Sequence, residues 1–229
     1  MLVLKINYTK YLDRARKSVK YHAFRTREVP EDRKGMFSRD SDHADVAAFL
    51  RSLDDPLTRE KQTKNGTIRY AVVHRLMFSL SRKEFDACGL TSWKPVVREA
   101  LGAFERYHGI KLEWVAAEHA SRDHPHVHVD IKSVYTDADG VQRRLRITPE
   151  MRKHLRWAVE GVLQRERSRV WAERQAERAF QHGIDRMVDS LTHSLVWGLR
   201  EAARDEPDPL MNRRRKRQAD ERHQDDRER

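Results

Sequence analysis

The spacing of apolar residues along the chain predicts three amphipathic helices and a strand in the first half. Apolar residues recur every three or four positions within residues 9–27, 43–53 and 93–108, which is the helical period. Gly109 follows the third segment directly, where glycine commonly ends a helix. Residues 67–81 are rich in Ile, Val, Leu and Phe and predict a strand.

A strand hairpin is predicted after the third helix. Residues 111–119 are mostly apolar, as expected of a central strand that is buried on both faces. Residues 126–133 alternate, so one face carries Val127, Val129 and Ile131 and the other carries His126, His128 and Asp130. A six-residue link, 120–125, joins the two strands, and residues 143–147 predict an edge strand.

The last part of the chain is predicted to be helical and then disordered. Thr148-Pro149-Glu150 combines a capping hydroxyl, a proline at the first helical position and a first-turn acid. The helical pattern continues to about residue 203, with Gly183 as a break in a second apolar stripe that consists of Phe180, Ile184, Met187, Leu191 and Leu195. Beyond Pro209 almost every residue is charged. The predicted organisation is an α+β domain over 1–165, a helical extension over 166–205 and a charged tail over 206–229.

Charge and composition narrow the class of partner. The formal net charge of +11 favours a polyanion, with nucleic acid ahead of an anionic membrane surface. Cys88 is the only cysteine, which excludes a disulfide framework or a Cys-based zinc site within one chain. The chain has no apolar stretch suited to a signal peptide or a bilayer span, and no P-loop. We therefore expect a cytoplasmic protein without membrane insertion or a fused ATP-driven motor.

Three histidines are predicted to converge on the hairpin. His126 and His128 share one face of their strand, and His119 ends the preceding strand. Residues opposite each other in an antiparallel hairpin point to the same side, so the three imidazoles could hold a metal and leave positions for water and a phosphate oxygen. His124 is an alternative third ligand, although Pro125 is expected to turn it away. The simpler alternative is a set of partly exposed histidines that bind nothing.

Two acidic residues near these histidines are candidates for a supporting role. Glu118 and Asp123 are weaker candidates as ligands than the histidines, and either could instead orient an imidazole by a hydrogen bond.

The histidine segment resembles the metal motif of HUH endonucleases, in particular MobA/MobL-type and T-DNA-type mobilisation relaxases. Residues 119–129, His-Ala-Ser-Arg-Asp-His-Pro-His-Val-His-Val, match a pattern of histidine, short acidic turn and His-Pro-His-x-His. Residues 17–25 resemble the helix that carries the nucleophilic tyrosine of the family, and the matching residue is Tyr21. Residues 35–40, 74–79 and 137–147 resemble further family segments, in family order.

The resemblance implies a central antiparallel sheet of about five strands flanked by helices. It also implies a relaxase that nicks and rejoins single-stranded DNA at an origin of transfer through a 5′-phosphotyrosine, with Mn²⁺ or Mg²⁺ as cofactor. Imidazoles alone would favour zinc, nickel or copper. Two departures from the family pattern are Ser121, where an acid is usual, and His22, where a hydrophobic residue is common; His22 is the rival nucleophile.

Basic residues are candidates for contacts with the DNA backbone: Lys20, Arg25, Arg27, Arg69, Arg143 and Arg144. The run over residues 213–217 would add affinity that is blind to sequence and sensitive to salt. The expected partners are single-stranded DNA at an origin of transfer, together with relaxosome and conjugation coupling proteins.

Three other functions fit parts of the sequence. A rolling-circle replication initiator would share the chemistry and differ in the DNA that it recognises. A histidine-triad nucleotide hydrolase would use the alternating histidines of residues 124–129 without a metal, although Asp130 stands where that pattern has a hydrophobic residue. A non-catalytic relaxosome accessory protein would bind origin DNA without cutting it.

Overall fold

An antiparallel sheet forms the centre of the fold in a computed structural model that describes residues 1–24, 35–204, 213–214 and 216–217. Its strands are β1 (Val3–Thr9), β4 (Val73–Ser79), β5 (Ile110–His119), β6 (His126–Asp137) and β7 (Gln142–Arg144). Their order is β1-β4-β6-β5, with β7 paired to the far end of β6. Two short strands, β2 (Lys61–Thr63) and β3 (Gly66–Ile68), form a separate hairpin. The expected α+β class and the five-stranded sheet are confirmed.

The α-helices that accompany the sheet are α1 (Leu12–Phe24), α2 (Val46–Ser52), α3 (Arg82–Ala87), α4 (Lys94–His108) and α5 (Pro149–Arg204). α4 ends at Gly109, whose φ of 62° is left-handed, as the sequence predicts. α5 begins at Pro149, and the Thr148 hydroxyl accepts a hydrogen bond from the Met151 amide. The helix runs through Gly183 without the predicted break.

The two faces of the sheet bury two different sets of apolar side chains. One face packs against α3, α4 and the start of α5 through residues that include Val127, Val129, Trp93 and Leu155. The other face packs against α1 and α2 through residues that include Val19. The predicted alternation in β6 is confirmed, because Val127 and Val129 lie in the first cluster and the histidines face the second helix layer.

β5 is an edge strand and not the predicted central strand. It pairs only with β6 among the strands, while its other edge is closed by a single bridge in which Phe37 and Ala116 exchange two backbone hydrogen bonds of 2.8 Å. Helices cover both faces of β5, since Trp114 lies in one cluster and Val115 in the other. The apolar sequence of β5 therefore indicates that both of its faces are buried. It does not indicate a central position, because helices can bury both faces of an edge strand as well.

Other differences concern the ends of elements. β1 was not predicted, and Thr9, the first residue of the segment 9–27 predicted as a helix, instead ends β1 opposite Val73. The predicted strand over 67–81 is divided into β3 and β4. β7 is Gln142–Arg144, so it covers only two residues of the edge strand predicted over 143–147.

The chain divides into two compact units, Met1–Ala172 and Glu173–Arg229. In the second unit, four members of the predicted apolar stripe are exposed: Phe180, Met187, Leu191 and Leu195. Arg213, Arg214, Lys216 and Arg217 are helical and exposed, and the rest of the charged tail lies outside the described residues. The expected boundaries at 165 and 205 remain predictions. None of the helices in the described part of the chain is both long and apolar enough to cross a membrane.

A buried histidine makes the stability of the first unit depend on pH. His74 in β4 is only 5% exposed, and its Nδ1 lies 2.8 Å from the Ser133 hydroxyl. Burial, with a smaller contribution from Arg152, lowers the pKa of His74 to about 4. Its unfolded pKa is higher, so the unfolded chain binds a proton that the folded chain does not. Stability is therefore complete above the unfolded pKa and falls as the pH drops towards about 4.

We predict that His74→Gln reduces this acid sensitivity, because glutamine can bond Ser133 but does not titrate. Between about pH 7 and about pH 4.5, the free energy of unfolding of the wild type should fall by about 2 kcal/mol more than that of the variant. Urea unfolding followed by circular dichroism at both pH values measures this difference. Equal losses in the two proteins would contradict the assignment to His74.

Candidate metal centre

The tip of the β5–β6 hairpin brings His119, His126 and His128 together. His119 and His126 are direct partners in the strand register, and His128 lies one step further along the same face. One ring nitrogen from each of the three lies within 4.8 Å of the others. The ring centroids are 5.0 to 5.2 Å apart. His119 is buried and the other two are half-buried, so the cluster is accessible from one side.

A backbone contact sets the tautomer of His126. Its Nδ1 lies 2.9 Å from the carbonyl oxygen of His124, and a carbonyl oxygen can only accept a hydrogen bond. Nδ1 of His126 therefore carries the proton and Nε2 keeps its lone pair for a metal. His124 is exposed and lies outside the three-histidine cluster, so its backbone, and not its ring, serves the site.

The donor set fits a divalent ion. Three neutral imidazoles that converge from one strand hairpin can occupy one side of a metal and leave its other positions for solvent or substrate oxygen. Imidazole nitrogen suits zinc, copper, iron and nickel, so the ligands themselves do not select manganese or magnesium.

Of the two acids considered for a supporting role, Glu118 has a carboxylate that is bonded elsewhere, and Asp123 is held through its backbone. The carboxylate of Glu118 accepts hydrogen bonds from the Ser92 hydroxyl and the Trp93 amide, at the start of α4. The backbone carbonyl of Asp123 accepts from the Arg82 amide at 2.8 Å. The Arg82 guanidinium also bonds the carbonyls of Ser121 and Arg122. The link before His126 is thus held by α3, and the carboxylate of Glu118 does not orient an imidazole.

α1 supplies a fourth histidine to the cluster. The ring of His22 stacks on that of His128, with centroids 4.3 Å apart and planes 9° apart. His22 Nδ1 lies 2.7 Å from Oδ2 of Asp130, whose side chain is fully buried. Sequence reasoning placed Asp130 on the histidine face but did not find this partner, because 108 residues separate the pair.

Tyr21 is the exposed neighbour of His22. The helix buries Ala15, Val19 and Ala23 against the sheet, which leaves the Tyr21 side chain 56% exposed. Its ring centroid is 6.2 Å from that of His22, which in turn stacks on His128. The structure therefore brings Tyr21 to the same end of the sheet as the three histidines, with His22 between them.

The same sheet face continues as an open polar surface that sequence reasoning missed. Arg75 in β4 lies opposite Asp130, and its guanidinium donates a 3.0 Å hydrogen bond to the Ser18 hydroxyl in α1. Lys5 and Asn7 in β1 follow on this face and are exposed. The sequence feature that indicates this polar face is the alternation of a lysine and an asparagine with apolar residues in β1, but that alternation was too short to predict the strand.

The predicted DNA-contacting residues fall into different environments. Lys20 is exposed on α1, and Arg25 and Arg27 lie outside the described residues. Arg69 pairs with Glu60 at 3.0 Å. Arg143 pairs with Asp137 at 2.5 Å, which lowers the pKa of that carboxyl. The Arg144 guanidinium stacks 3.9 Å from the Tyr70 ring centroid. Arg69, Arg143 and Arg144 are thus engaged with other side chains, and none of the three belongs to the histidine cluster.

The fold is similar to that of a solved conjugative relaxase. TrwC in complex with oriT DNA, in a metal-bound structure, matches with a TM-score of 0.52 and 14% identity over 74% of this chain and 70% of that chain. TrwC complexed with a 27-mer DNA comprising the recognition hairpin and the cleavage site matches with a TM-score of 0.49 and 15% identity, over 74% and 69% of the chains. No protein-family model and no curated protein sequence matches the chain. The likeness establishes the relaxase fold.

We predict that His126→Ala lowers the affinity for Mn²⁺ at least tenfold, because one of three nitrogen donors is lost. Loss of a residue that only orients a ligand already costs about tenfold to hundredfold in metal affinity, and loss of the ligand itself should cost no less. His124→Ala is the matched control, since it keeps the backbone carbonyl that bonds His126 and should bind Mn²⁺ like the wild type. Isothermal titration calorimetry measures both. Equal affinities in the two variants would remove His126 from the site.

Proposed function

We propose that this protein is a DNA relaxase that nicks and rejoins single-stranded DNA at an origin of transfer, with Tyr21 as the nucleophile and His119, His126 and His128 as metal ligands. The observation that carries the proposal is the stacking of His22 on His128, because it places the tyrosine helix beside the histidine cluster. The relaxase fold supports it, and the metal-bound TrwC complex with oriT DNA has that fold. We extend the proposal to MobA/MobL-type or T-DNA-type relaxases on the motif resemblance.

The proposed reaction exchanges one phosphate ester for another. The Tyr21 phenol oxygen forms a bond to the scissile phosphorus, and the bond from phosphorus to the 3′ oxygen of the preceding nucleotide breaks. The phenol proton is lost, and a proton ends on the released 3′ hydroxyl. The 5′ phosphate stays on Tyr21 as a diester, so the reverse reaction can rejoin the strand without ATP.

A bound divalent ion would polarise the scissile phosphate and offset the negative charge that develops on it. His119, His126 and His128 would hold the ion, and the His126–His124 backbone contact would orient one of them. We propose Mn²⁺ or Mg²⁺ on the motif resemblance, since imidazole donors are equally suited to other ions.

The contacts of His22 favour a positioning role over a nucleophilic one. Its Nδ1 is held by Asp130 and its ring face is covered by His128, so the imidazole is fixed within the protein. Tyr21, by contrast, is mostly exposed to an incoming strand. His22 and Asp130 would therefore hold α1 in register with the metal ligands, and Tyr21 would attack.

The open polar face of the sheet would carry the DNA strand towards Tyr21. Lys5 and Asn7 on β1 are exposed on this face, Lys17 and Lys20 are exposed on α1, and the chain has an excess of eleven positive charges. Contacts by Arg25, Arg27, Arg69, Arg143 and Arg144 remain part of the proposal. A relaxase of this type would act in the cytoplasm with relaxosome and coupling proteins.

The competing functions make different demands on the same residues. A rolling-circle initiator would share the tyrosine and the histidines and differ only in target DNA. A histidine-triad hydrolase would need no metal, and an accessory protein would bind DNA without a covalent adduct. Metal dependence and adduct formation therefore separate the classes.

We predict that replacement of the five basic residues 213–217 by glutamine flattens the salt dependence of DNA binding. Fewer counterions would be released from the DNA, so the slope of log affinity against log salt concentration should fall by up to about 4. Fluorescence anisotropy with a single-stranded oligonucleotide measures the slope. The cutting rate of the variant at low salt is the control, and it should equal that of the wild type because the run contributes to affinity and not to chemistry. An unaltered slope would contradict the assigned role of the run.

We predict that Tyr21→Phe abolishes the covalent DNA adduct, because it removes the attacking oxygen and keeps the ring. Tyr11→Phe changes another exposed tyrosine, just before α1; it is the matched control and should form the adduct. A labelled origin oligonucleotide with Mn²⁺, analysed on denaturing gels, gives the measurement.

The chemistry of the adduct tests the rival nucleophile. Phosphotyrosine survives mild acid and phosphohistidine hydrolyses, so the wild-type adduct should be acid-stable and should persist, formed more slowly, in His22→Ala. An acid-labile adduct in Tyr21→Phe would transfer the role to His22. Metal-dependent cutting without any adduct would indicate water as the attacking group.

A further inference from the structure

A second cavity lies away from the histidines, between β1, the segment before β4, β7 and the start of α5. Its volume is about 640 Å³, and its lining includes Tyr8, Tyr70, His74, Arg144, Arg146 and Arg152. We call it the basic pocket. Its volume falls within the range of about 300 to 1,000 Å³ that is typical of small-molecule sites.

The basic pocket is on the opposite face of the sheet from the metal centre. Tyr8 and His74 are register partners, and His74 is opposite Ile131, whose side chain lies in the core cluster on the α4 side. Ile131 is also three positions along β6 from His128, the nearer of the two histidines on that strand, which corresponds to about 10 Å in an antiparallel strand. A ligand in the basic pocket would therefore not contact the metal ligands.

The lining carries positive charge without negative charge. Five cationic side chains line the pocket and no Asp or Glu does; the five are Lys10, Arg69, Arg144, Arg146 and Arg152. Arg69 pairs with Glu60, and within the described part of the chain the other four make no ion pair. Cations that gather in a concave site repel one another, so an anionic ligand would be bound with a gain in electrostatic energy.

Aromatic rings accompany these cations. Tyr8 is 54% exposed at the pocket, and the Lys10 ammonium lies 5.8 Å from its ring centroid. Tyr70 is half-buried under the Arg144 guanidinium. Ile6, Leu145 and Ile147 complete the lining. A bare phosphate needs cations but no ring surface, whereas a nucleotide combines a phosphate with a flat base that stacks on tyrosine or on a guanidinium plane.

The floor of the pocket adds no charge of its own. His74 holds the Ser133 hydroxyl through Nδ1, and its depressed pKa of about 4 keeps the ring neutral near neutral pH. Base-sized apolar and aromatic surface therefore lies beside the cationic rim.

We propose that the basic pocket binds one nucleotide, with its phosphate held by Lys10 and the pocket arginines and its base stacked on Tyr8 or Tyr70. The nucleotide could be a unit of a DNA strand outside the segment that is cut, or a free mononucleotide. The proposal rests on the proposed function only where DNA is the source, because the pocket has its own binding chemistry.

The first test uses the full-length protein and the mononucleotide dAMP. Isothermal titration calorimetry should show dAMP binding at least tenfold more tightly than inorganic phosphate. Lys10→Gln combined with Arg146→Gln should weaken dAMP binding at least tenfold, and Tyr8→Ala should weaken dAMP binding without changing phosphate binding. Arg106→Gln, an exposed cation on α4 outside the pocket, is the matched control. Thermal unfolding of each variant verifies that the fold is intact.

Two results would overturn the proposal. One is dAMP affinity in Lys10→Gln/Arg146→Gln equal to that of the control. The other is equal affinity for phosphate and dAMP with no effect of Tyr8→Ala, which would reduce the pocket to an anion site.

A competition experiment identifies the source of the nucleotide. If a single-stranded oligonucleotide displaces dAMP and binds less tightly to the pocket variant, the ligand is a DNA strand; if it does not displace dAMP, the ligand is a free nucleotide. Tyr21→Phe should bind dAMP like the wild type. Failure of the wild-type protein to nick DNA, with intact dAMP binding, would thus count against the proposed relaxase activity alone.

Discussion

A buried hydrogen bond between His22 and Asp130 joins the two parts of the candidate site. The Asp130 carboxylate is fully buried, and a buried charge is costly unless another group compensates for it. His22 supplies that partner from α1, and in doing so it fixes the helix over β6. The stacking on His128 and the exposure of Tyr21 both follow from this placement.

The parts of the site that the sequence could predict depend on local geometry. The period of two in β6 separates histidines from valines, and a short hairpin makes His119 face His126 whatever the rest of the chain does. The left-handed Gly109 at the end of α4 is equally local. Tyr21 was found through its motif, and its role as nucleophile, like the ligand roles of the histidines, stays a prediction.

The parts that could not be predicted depend on contacts between distant segments. Asp130 and His22 are 108 residues apart, and no local pattern marks them as partners. β1 has exposed Lys5 and Asn7 on its open face, so it lacks the apolar signal of a covered strand. β5 has that signal on both faces, which suggested a central position, yet burial by helices on both sides produces the same sequence at an edge. The basic pocket likewise collects Lys10, Arg69 and Arg146 from three separate segments.

The neutral charge of the three histidine ligands explains why a metal ion bound by them would attract an anionic substrate. The three histidines donate neutral nitrogen, the Glu118 carboxylate is engaged with the start of α4, and the Asp130 carboxylate is engaged with His22. A divalent ion on these ligands would keep most of its charge, since no carboxylate neutralises it directly. A phosphodiester oxygen would then be the strongest available counter-charge at the open side of the ion. The neutral histidine donors therefore have two consequences. They do not select one metal, and they favour a phosphate as the group that occupies the open coordination positions of the ion.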